Sequence, residues 1–325
     1  MLRELTRHVD WVLVGGRWTR FSVIGTDLSK EALDLENKGD LDNRIVILMI
    51  PGNPGNEGFY SDFGHRLLRN LLARDERIGD KKHQYLFYTV SHLNHVAMPN
   101  ELRHCGNHKY HDRFLLDEQV QHKLDFVREY LPKGQKVYLF GHSIGSYMML
   151  KILPYIREDF NIKKAVGLFP TVERMAESPN GVRLKRLLST LNDNDWLTKS
   201  LTFWLDCLPI NVKKWLVGFN LGGLAPSDVV FSAAELLHMH VFRNIVHMSN
   251  DELEKILELD SQLIVNRDIT HFYYGVEDGW CPLPYGHAME KLLPKGHVVI
   301  DDQKCEHAFV IRDGAVMAEK LLQFI

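Results

Sequence analysis

KVYLFGHSIGSYMMLKIL (136–153) joins a strand-length apolar run to a helix candidate through Gly141-His142-Ser143-Ile144-Gly145. The bare G-x-S-x-G pattern carries little weight, since three fixed residues at ~7% each arise by chance in roughly one chain of this length in ten. Its setting carries more. A buried-type strand that enters a helix through such a turn projects the serine hydroxyl from a strained corner. The two glycines let neighbouring backbone pass without a Cβ clash. The helix N-terminus turns its positive dipole end toward developing negative charge. The segment predicts a nucleophile elbow with Ser143 at its tip.

Outward from the elbow, similar runs recur: RIVILMI (44–50), YLFYTV (85–90), KAVGLF (164–169), ITHFYYG (269–275) and HVVID (297–301). Several are apolar nearly throughout, as strands covered on both faces are. Helix candidates lie between them. In 114–131, Val120, Leu124, Val127 and Leu131 fall at helical spacing and Pro132 with Gly134 stops the run; another follows Ser143, and the last spans about 313–324. The alternation predicts an α/β fold with a mostly parallel, doubly wound sheet. DWVLVGGRWTRFSVIG (10–25) reads as a hairpin adding antiparallel strands at the edge, turning at Gly15-Gly16. Between about 171 and 268 the alternation stops and runs such as AAELLHMHVFRNIVHM and DELEKILELD are helical in character. Residues 1–170 and 269–325 read as the core and 171–268 as an inserted, mainly helical cap. The polar segment 26–43 reads as a surface loop.

The 325 residues are 45% hydrophobic and 25% charged, the balance of a globular chain with a real core. Lys plus Arg total 39 against 42 for Asp plus Glu, which gives no support to a phosphate-tracking nucleic-acid binder. Cys105, Cys207, Cys281 and Cys305 are far apart with no CxxC spacing, and read as reduced thiols. The N-terminus lacks a secretory apolar region and a myristoylation glycine, the C-terminus lacks a prenylation cysteine, and no apolar stretch is long enough to span a membrane. Any membrane contact must then come from an amphipathic or hairpin surface.

A serine nucleophile needs a base, and the base needs an orienting acid. Acid and histidine following the serine is the chain order of the α/β-hydrolases. Asp278 lies just past the strand candidate FYYG, at the carboxyl end of a strand, where open α/β sheets gather their sites. His307 lies past the next strand, and the interval of 29 residues accommodates one helix and one strand. Glu277 is the adjacent rival acid and Glu173 a more distant one. His287 falls in a helix candidate and His297 begins a strand, so His307 is the base this reading selects. An oxyanion hole needs two backbone N–H groups. Ile144, after the nucleophile, supplies one; Asn53, in Pro51-Gly52-Asn53-Pro54-Gly55 after RIVILMI, supplies the other, while Pro54 has no N–H and only shapes the loop.

These residues resemble one family closely, the lipid droplet-associated hydrolases, of the α/β-hydrolase superfamily. The resemblance runs through PGNP (51–54), the SHxxH of Ser91 to His95, QxxHKL (119–124) and GHSIGSY (141–147). It continues through LFPTxERMxESPNG (168–181), FYYG with DxWCP (272–282) and HAF (307–309), covering the chain nearly end to end. It implies an α/β-hydrolase fold and a Ser143–Asp278–His307 triad; no cofactor is expected. It also implies residence on lipid droplets and the endoplasmic reticulum, with activity toward sterol esters or related neutral lipid esters.

Residues 196–223 concentrate Trp196, Phe203, Trp204, Trp215 and Phe219, and Pro209 divides them into two halves. One reading is a hairpin dipping into a phospholipid monolayer, with Lys213 and Lys214 near the headgroups and the aromatics at the interface. The other is a pair of cap helices packed on the core and lining an acyl pocket. The family resemblance favours the monolayer. His104, His108 and His111, with Cys105, His92 and His95, match no compact metal site and read as a solvated loop, with His92 and His95 near the site mouth. Met148 and Met149 read as packing against the sheet. The acidic run Asp251, Glu252, Glu254 and Glu258, with Lys255, reads as an exposed helix face.

The expected function is a serine hydrolase of hydrophobic esters at a lipid surface. Two alternatives share the residues: a lipid-droplet surface protein with little turnover, and an acyltransferase that passes the acyl group to an alcohol.

Overall fold

In the computed structural model, which describes residues 4–28, 43–80, 83–103, 109–221 and 223–325, eight strands pair into one sheet. They are β1 (Thr6–Val14), β2 (Arg17–Gly25), β3 (Arg44–Ile50), β4 (Gln84–Val90), β5 (Lys136–His142), β6 (Asn161–Leu168), β7 (Thr270–Tyr274) and β8 (Val298–Ile300). Their order is β1-β2-β4-β3-β5-β6-β7-β8. β2 runs antiparallel to both β1 and β4, and every other pairing is parallel. This is the mostly parallel, doubly wound sheet of the α/β-hydrolases. The β1–β2 hairpin pairs Val14 with Arg17, leaving Gly15 and Gly16 as a two-residue turn at φ of 53° and 75°. Such turns need two left-handed residues, which glycine supplies without a Cβ penalty. β1 alone is the sheet edge there, because β2 also pairs with β4.

The central strands are apolar throughout because they are covered on both faces: Ile45 to Ile50 of β3 are all buried. The covering helices are α1 (Ser61–Ile78), α2 (Leu116–Tyr130), α3 (Ile144–Ile156), and, after the strands of the C-terminal part, α9 (Leu283–Glu290) and α10 (Gly314–Lys320). α1, absent from the helix candidates above, buries Phe63, Leu67, Leu68, Leu71 and Leu72 at helical spacing. Met148 and Met149 are fully buried on α3, as expected.

Between β6 and β7 the chain forms α4 (Pro179–Asp193), α5 (Asp195–Thr202), α6 (Ile210–Asn220), α7 (Ser227–Leu236) and α8 (Met239–Lys255), without strands among the described residues. This stretch is tied to the sheet by charge. Arg20 of β2 pairs with Glu235 of α7 at 2.7 Å and with buried Glu57 at 2.8 Å. Asp251 of α8 accepts the Leu116 N–H at 2.8 Å, satisfying a donor at the start of α2 that has no partner within that helix.

The greater part of the polar segment 26–43, residues 29–42, lies outside the described residues, as do His104, Cys105 and His108. Cys207, Cys281 and Cys305 are free thiols.

Candidate active site

β5 delivers Ser143 at φ 53° and ψ −124°, a positive-φ position that no ordinary strand or helix residue occupies. The surrounding backbone holds it there. The Ser143 N–H donates to Leu168 O on β6 at 2.9 Å, and its carbonyl accepts from Ser146 N at 2.9 Å. A Cβ on Gly145 would lie 2.2 Å from the Ile50 carbonyl oxygen, and one on Gly141 2.5 Å from that of Gly145. Gly145 is there because the elbow rests directly on the end of β3, and Gly141 because the first turn of α3 folds back over the strand that precedes it.

The loops after β7 and β8 bring the predicted acid and base to the same sheet edge. Ser143 Oγ lies 2.9 Å from His307 Nε2, and His307 Nδ1 lies 2.7 Å from Asp278 Oδ2. The carboxylate accepts at Nδ1–H, which leaves the Nε2 lone pair facing the serine hydroxyl. Burial works against the Asp278 charge, but the charge and hydrogen bond of His307, the Cys281 thiol and the Trp280 N–H outweigh it and hold the carboxyl below its usual range. The rivals lie elsewhere. Glu277 is exposed and pairs with Lys304 at 3.3 Å, and Glu173 pairs with Arg174 at 2.6 Å. His287 pairs with Glu290, and His297 stacks on His271 with centroids 4.1 Å apart.

The loop after β3 has few N–H groups to offer a ligand. Pro51 and Pro54 have none; Gly52 N–H donates to Tyr60 Oη at 3.0 Å, and Gly55 N–H donates to His95 Nδ1 at 3.1 Å. Among the described residues 51–55, that leaves the Asn53 N–H uncommitted. Ile144 opens α3, so its N–H has no acceptor within the helix. The Asn53 side chain is held from the other direction: its Nδ2 lies 2.8 Å from Ser249 Oγ, 2.9 Å from Glu252 Oε1 and 3.2 Å from Ile245 O, all on α8.

Three expectations change here. Asp251 and Glu252 are buried rather than part of an exposed acidic face, because they fall on the side of α8 turned toward the core, and only Glu254 and Glu258 of that run are exposed. Burial raises the Glu252 carboxyl to about 8, with the Asn53 hydrogen bond opposing the shift. His92 and His95 are buried behind the loop of Asn53 rather than at the site mouth, His92 N–H donating to Gly55 O at 2.8 Å. Lys213 is buried rather than near headgroups, because it faces inward on α6 near Asp206.

Other residues close on the site carried no role in the sequence reading. Cys281 Sγ donates to Asp278 Oδ2 at 3.0 Å, while the Trp280 and Cys281 N–H groups reach Oδ1 at 2.7 and 3.1 Å. The spacing of two and three residues after an aspartate is the signal of such a turn. Thr171 Oγ1 lies 3.5 Å from Ser143 Oγ. Among the described residues, Asp278, Cys281 and His307 are the one trio of metal-type donors within 4.8 Å, and these atoms are already bonded to one another.

Beside Ser143 and His307 lies an apolar cavity of about 260 Å³, walled partly by Leu221, Val229, Ala233 and Leu236 of the helical stretch. A more polar groove on the side of Asp278 and His307 includes Asn180, Trp280 and Lys304. The aromatic segment is split at Pro209 into two short helical halves. Its large side chains point to solvent: Trp196 is 76% exposed, Phe203 60%, Trp204 48%, Trp215 67% and Phe219 79%. On α6, Lys213 faces inward while Val212, Trp215 and Phe219 face outward alongside Lys214. Among the described residues, no helix is long and apolar enough to cross a membrane.

A family profile described as lipid-droplet associated hydrolase matches residues 43–310. The chain belongs to that family. A lipid droplet-associated hydrolase of Gallus gallus is 32% identical over 288 residues, covering 87% of this chain and 85% of its own. One of Drosophila melanogaster is 32% identical over 284 residues (84% and 86%), and one of Homo sapiens 30% over 328 residues (98% and 94%). Among solved structures, the peroxisomal alpha-beta-hydrolase Lpx1 from Saccharomyces cerevisiae superposes with a TM-score of 0.59 at 13% identity, covering 98% of this chain and 87% of that one. A bacterial membrane phospholipase A gives 0.56 at 13% identity, covering 99% and 86%. At these identities the two structures speak for the shared fold, and the family membership speaks for a hydrolase of the α/β-hydrolase superfamily.

Proposed function

We propose that this chain is a serine hydrolase of carboxylic esters with long apolar acyl groups, working at a lipid-droplet surface or the cytosolic face of the endoplasmic reticulum. The observation that carries the reading is the Ser143–His307–Asp278 hydrogen-bonded series at the mouth of an apolar cavity. Ser143 Oγ attacks the ester carbonyl as its proton passes to His307 Nε2. The Asn53 and Ile144 N–H groups hold the oxyanion, and Asp278 keeps the imidazole in the tautomer this transfer needs. Collapse breaks the ester C–O bond and His307 protonates the departing alcohol. Water, deprotonated by His307, then releases the acid and regenerates Ser143.

The acyl chain occupies the cavity closed by Leu221 and the α7 side chains, with the helices between β6 and β7 acting as a cap. The outward Trp196, Phe203, Trp204, Trp215 and Phe219 rest on the lipid monolayer, where aromatic side chains partition well. Sterol esters and related neutral lipid esters are the substrates that fit this reading, and the family's name accords with the surface.

The test is labelling by a fluorophosphonate serine probe, followed by turnover on a lipid-ester panel with and without droplets. Wild type should be labelled and active, and Ser143→Ala should be neither. Absence of labelling in a folded sample would favour a surface protein without turnover. Acyl transfer to added alcohol in preference to water would favour an acyltransferase.

A further inference from the structure

Two buried side chains connect the loop of Asn53 to the loop of His307, and neither figures in the chemistry above. Tyr60 lies in the short helical turn Glu57–Tyr60 after β3, and His142 is the residue before the nucleophile. The Gly52 N–H donates to Tyr60 Oη at 3.0 Å, Tyr60 Oη lies 2.7 Å from His142 Nδ1, and His142 Nε2 lies 2.8 Å from the His307 carbonyl oxygen. The two ends, with a neutral imidazole between them, fix the direction of the series. A carbonyl can only accept, so His142 Nε2–H donates to the His307 carbonyl; in the neutral imidazole Nδ1 then accepts from Tyr60 Oη–H, whose oxygen accepts from the Gly52 N–H. His142 is in this arrangement the neutral tautomer protonated on Nε2.

The surroundings favour that state. Tyr60 and His142 are buried, and Phe309 packs edge-on against both, its centroid 6.4 Å from Tyr60 and 5.0 Å from His142. Phe169 adds a further edge 6.3 Å from His142. Burial, with a smaller contribution from His307, lowers the His142 imidazole to about 3, so it stays uncharged across the working range. Each polar atom in the series has a partner. A buried series satisfied in only one direction is rigid, because reversing a member sets donor against donor or acceptor against acceptor.

We propose that Tyr60 and His142 are positioning residues that hold the base loop and the oxyanion loop in register across Ser143. They act on the backbone of Gly52 and His307 rather than on the reacting atoms. The proposal rests on His307 being the base and on the loop after β3 supplying an oxyanion donor. Displacement of a reacting group by about 1 Å costs on the order of 10²-fold in rate, and removal of either residue breaks the connection that keeps the two loops in register.

The test uses the full chain, a soluble p-nitrophenyl acyl ester, and the variants Tyr60→Phe, His142→Phe, the double variant and His142→Gln. Each single variant should lower kcat by about 10- to 100-fold with KM little changed. The double variant should be no worse than the poorer single one, because both break the same series. His142→Gln should regain most of the loss, since its amide can accept from Tyr60 and donate to the carbonyl. Amide hydrogen exchange in 51–55 and 303–309 should rise in the Phe variants and fall back in His142→Gln. That measurement needs no turnover, so it judges the series even if wild type proves inactive on every ester and the proposed function fails. Unchanged exchange in both loops, additive losses in the double variant, or a Gln variant as poor as the Phe variant would each overturn the proposal.

Discussion

Asn53 and Glu252 meet at 2.9 Å, the side-chain amide of the loop after β3 donating to a carboxyl on α8 that is sealed from water. The helical stretch between β6 and β7 thus holds one side of the candidate oxyanion loop while its own leucines wall the cavity. The contact also makes stability depend on pH in a defined direction. The Glu252 carboxyl is raised from 4.5 to about 8 in the folded chain, so the folded state binds this proton more tightly than the unfolded one. Its contribution is fully present below about 4.5 and is lost as pH rises through about 8. Glu252→Gln keeps an acceptor for Asn53 and removes the ionisation. The Tm of the variant should therefore gain on wild type steadily between those two pH values. A constant Tm difference from pH 5 to pH 9 would contradict the assignment.

Asp278→Asn leaves the shape of the acid's turn intact but offers His307 Nδ1 an amide in place of a carboxylate. The imidazole then no longer has its tautomer enforced. We expect a fall in kcat of about 10⁴-fold, with the folded state retained by circular dichroism. Glu277→Gln, on a side chain paired at the surface with Lys304, should change kcat less than twofold.

Gly145→Ala tests the seat of the elbow rather than its chemistry. The added methyl would fall 2.2 Å from the Ile50 carbonyl, a backbone atom that can retreat only by moving β3. The cost should be about 3 kcal/mol or more, visible as a reduced urea midpoint or as insoluble protein. A variant as stable as wild type would show that the elbow and β3 separate freely.

Trp215 and Phe219 stack on each other, with centroids 6.2 Å apart, on the outer face of α6. Because both are exposed, replacing them with serine should leave Tm nearly unchanged. If they enter a monolayer, each loses roughly 1.5–3 kcal/mol of apolar burial there. Flotation with phospholipid-coated oil droplets should then show binding weakened by at least about tenfold per residue. Equal flotation of wild type and the double variant would remove α6 from the lipid contact.

The elbow was legible because its constraints are local: a buried strand, two glycines and a helix start occupy ten consecutive residues. The sheet was legible for the same kind of reason, since strands covered on both faces are apolar at nearly every position. Asp278 over Glu277 was a harder choice, because adjacent acids in a turn differ only in which way the turn points them. The structure turns Asp278 inward, where Trp280, Cys281 and His307 converge on it. Composition misread Asp251, Glu252 and Lys213, since charge on a helix ordinarily marks its wet face. Each sits on the inner face because a specific partner or neighbour awaits it there, Leu116 N–H for Asp251, Asn53 for Glu252 and Asp206 for Lys213.

Periodicity and short motifs carry information about neighbours in the chain, and they were enough for the fold, the family and a candidate serine, aspartate and histidine. Tertiary structure decided what lies across the sheet edge. It committed the Gly52 N–H to Tyr60 and the Gly55 N–H to His95, leaving Asn53, and it turned the aromatic side chains of 196–223 outward while Leu221 faced the cavity. Hydrogen-bond partners and the outward face of a short helix depend on residues tens or hundreds of positions away. Local pattern does not encode them, whereas packing around the folded sheet does.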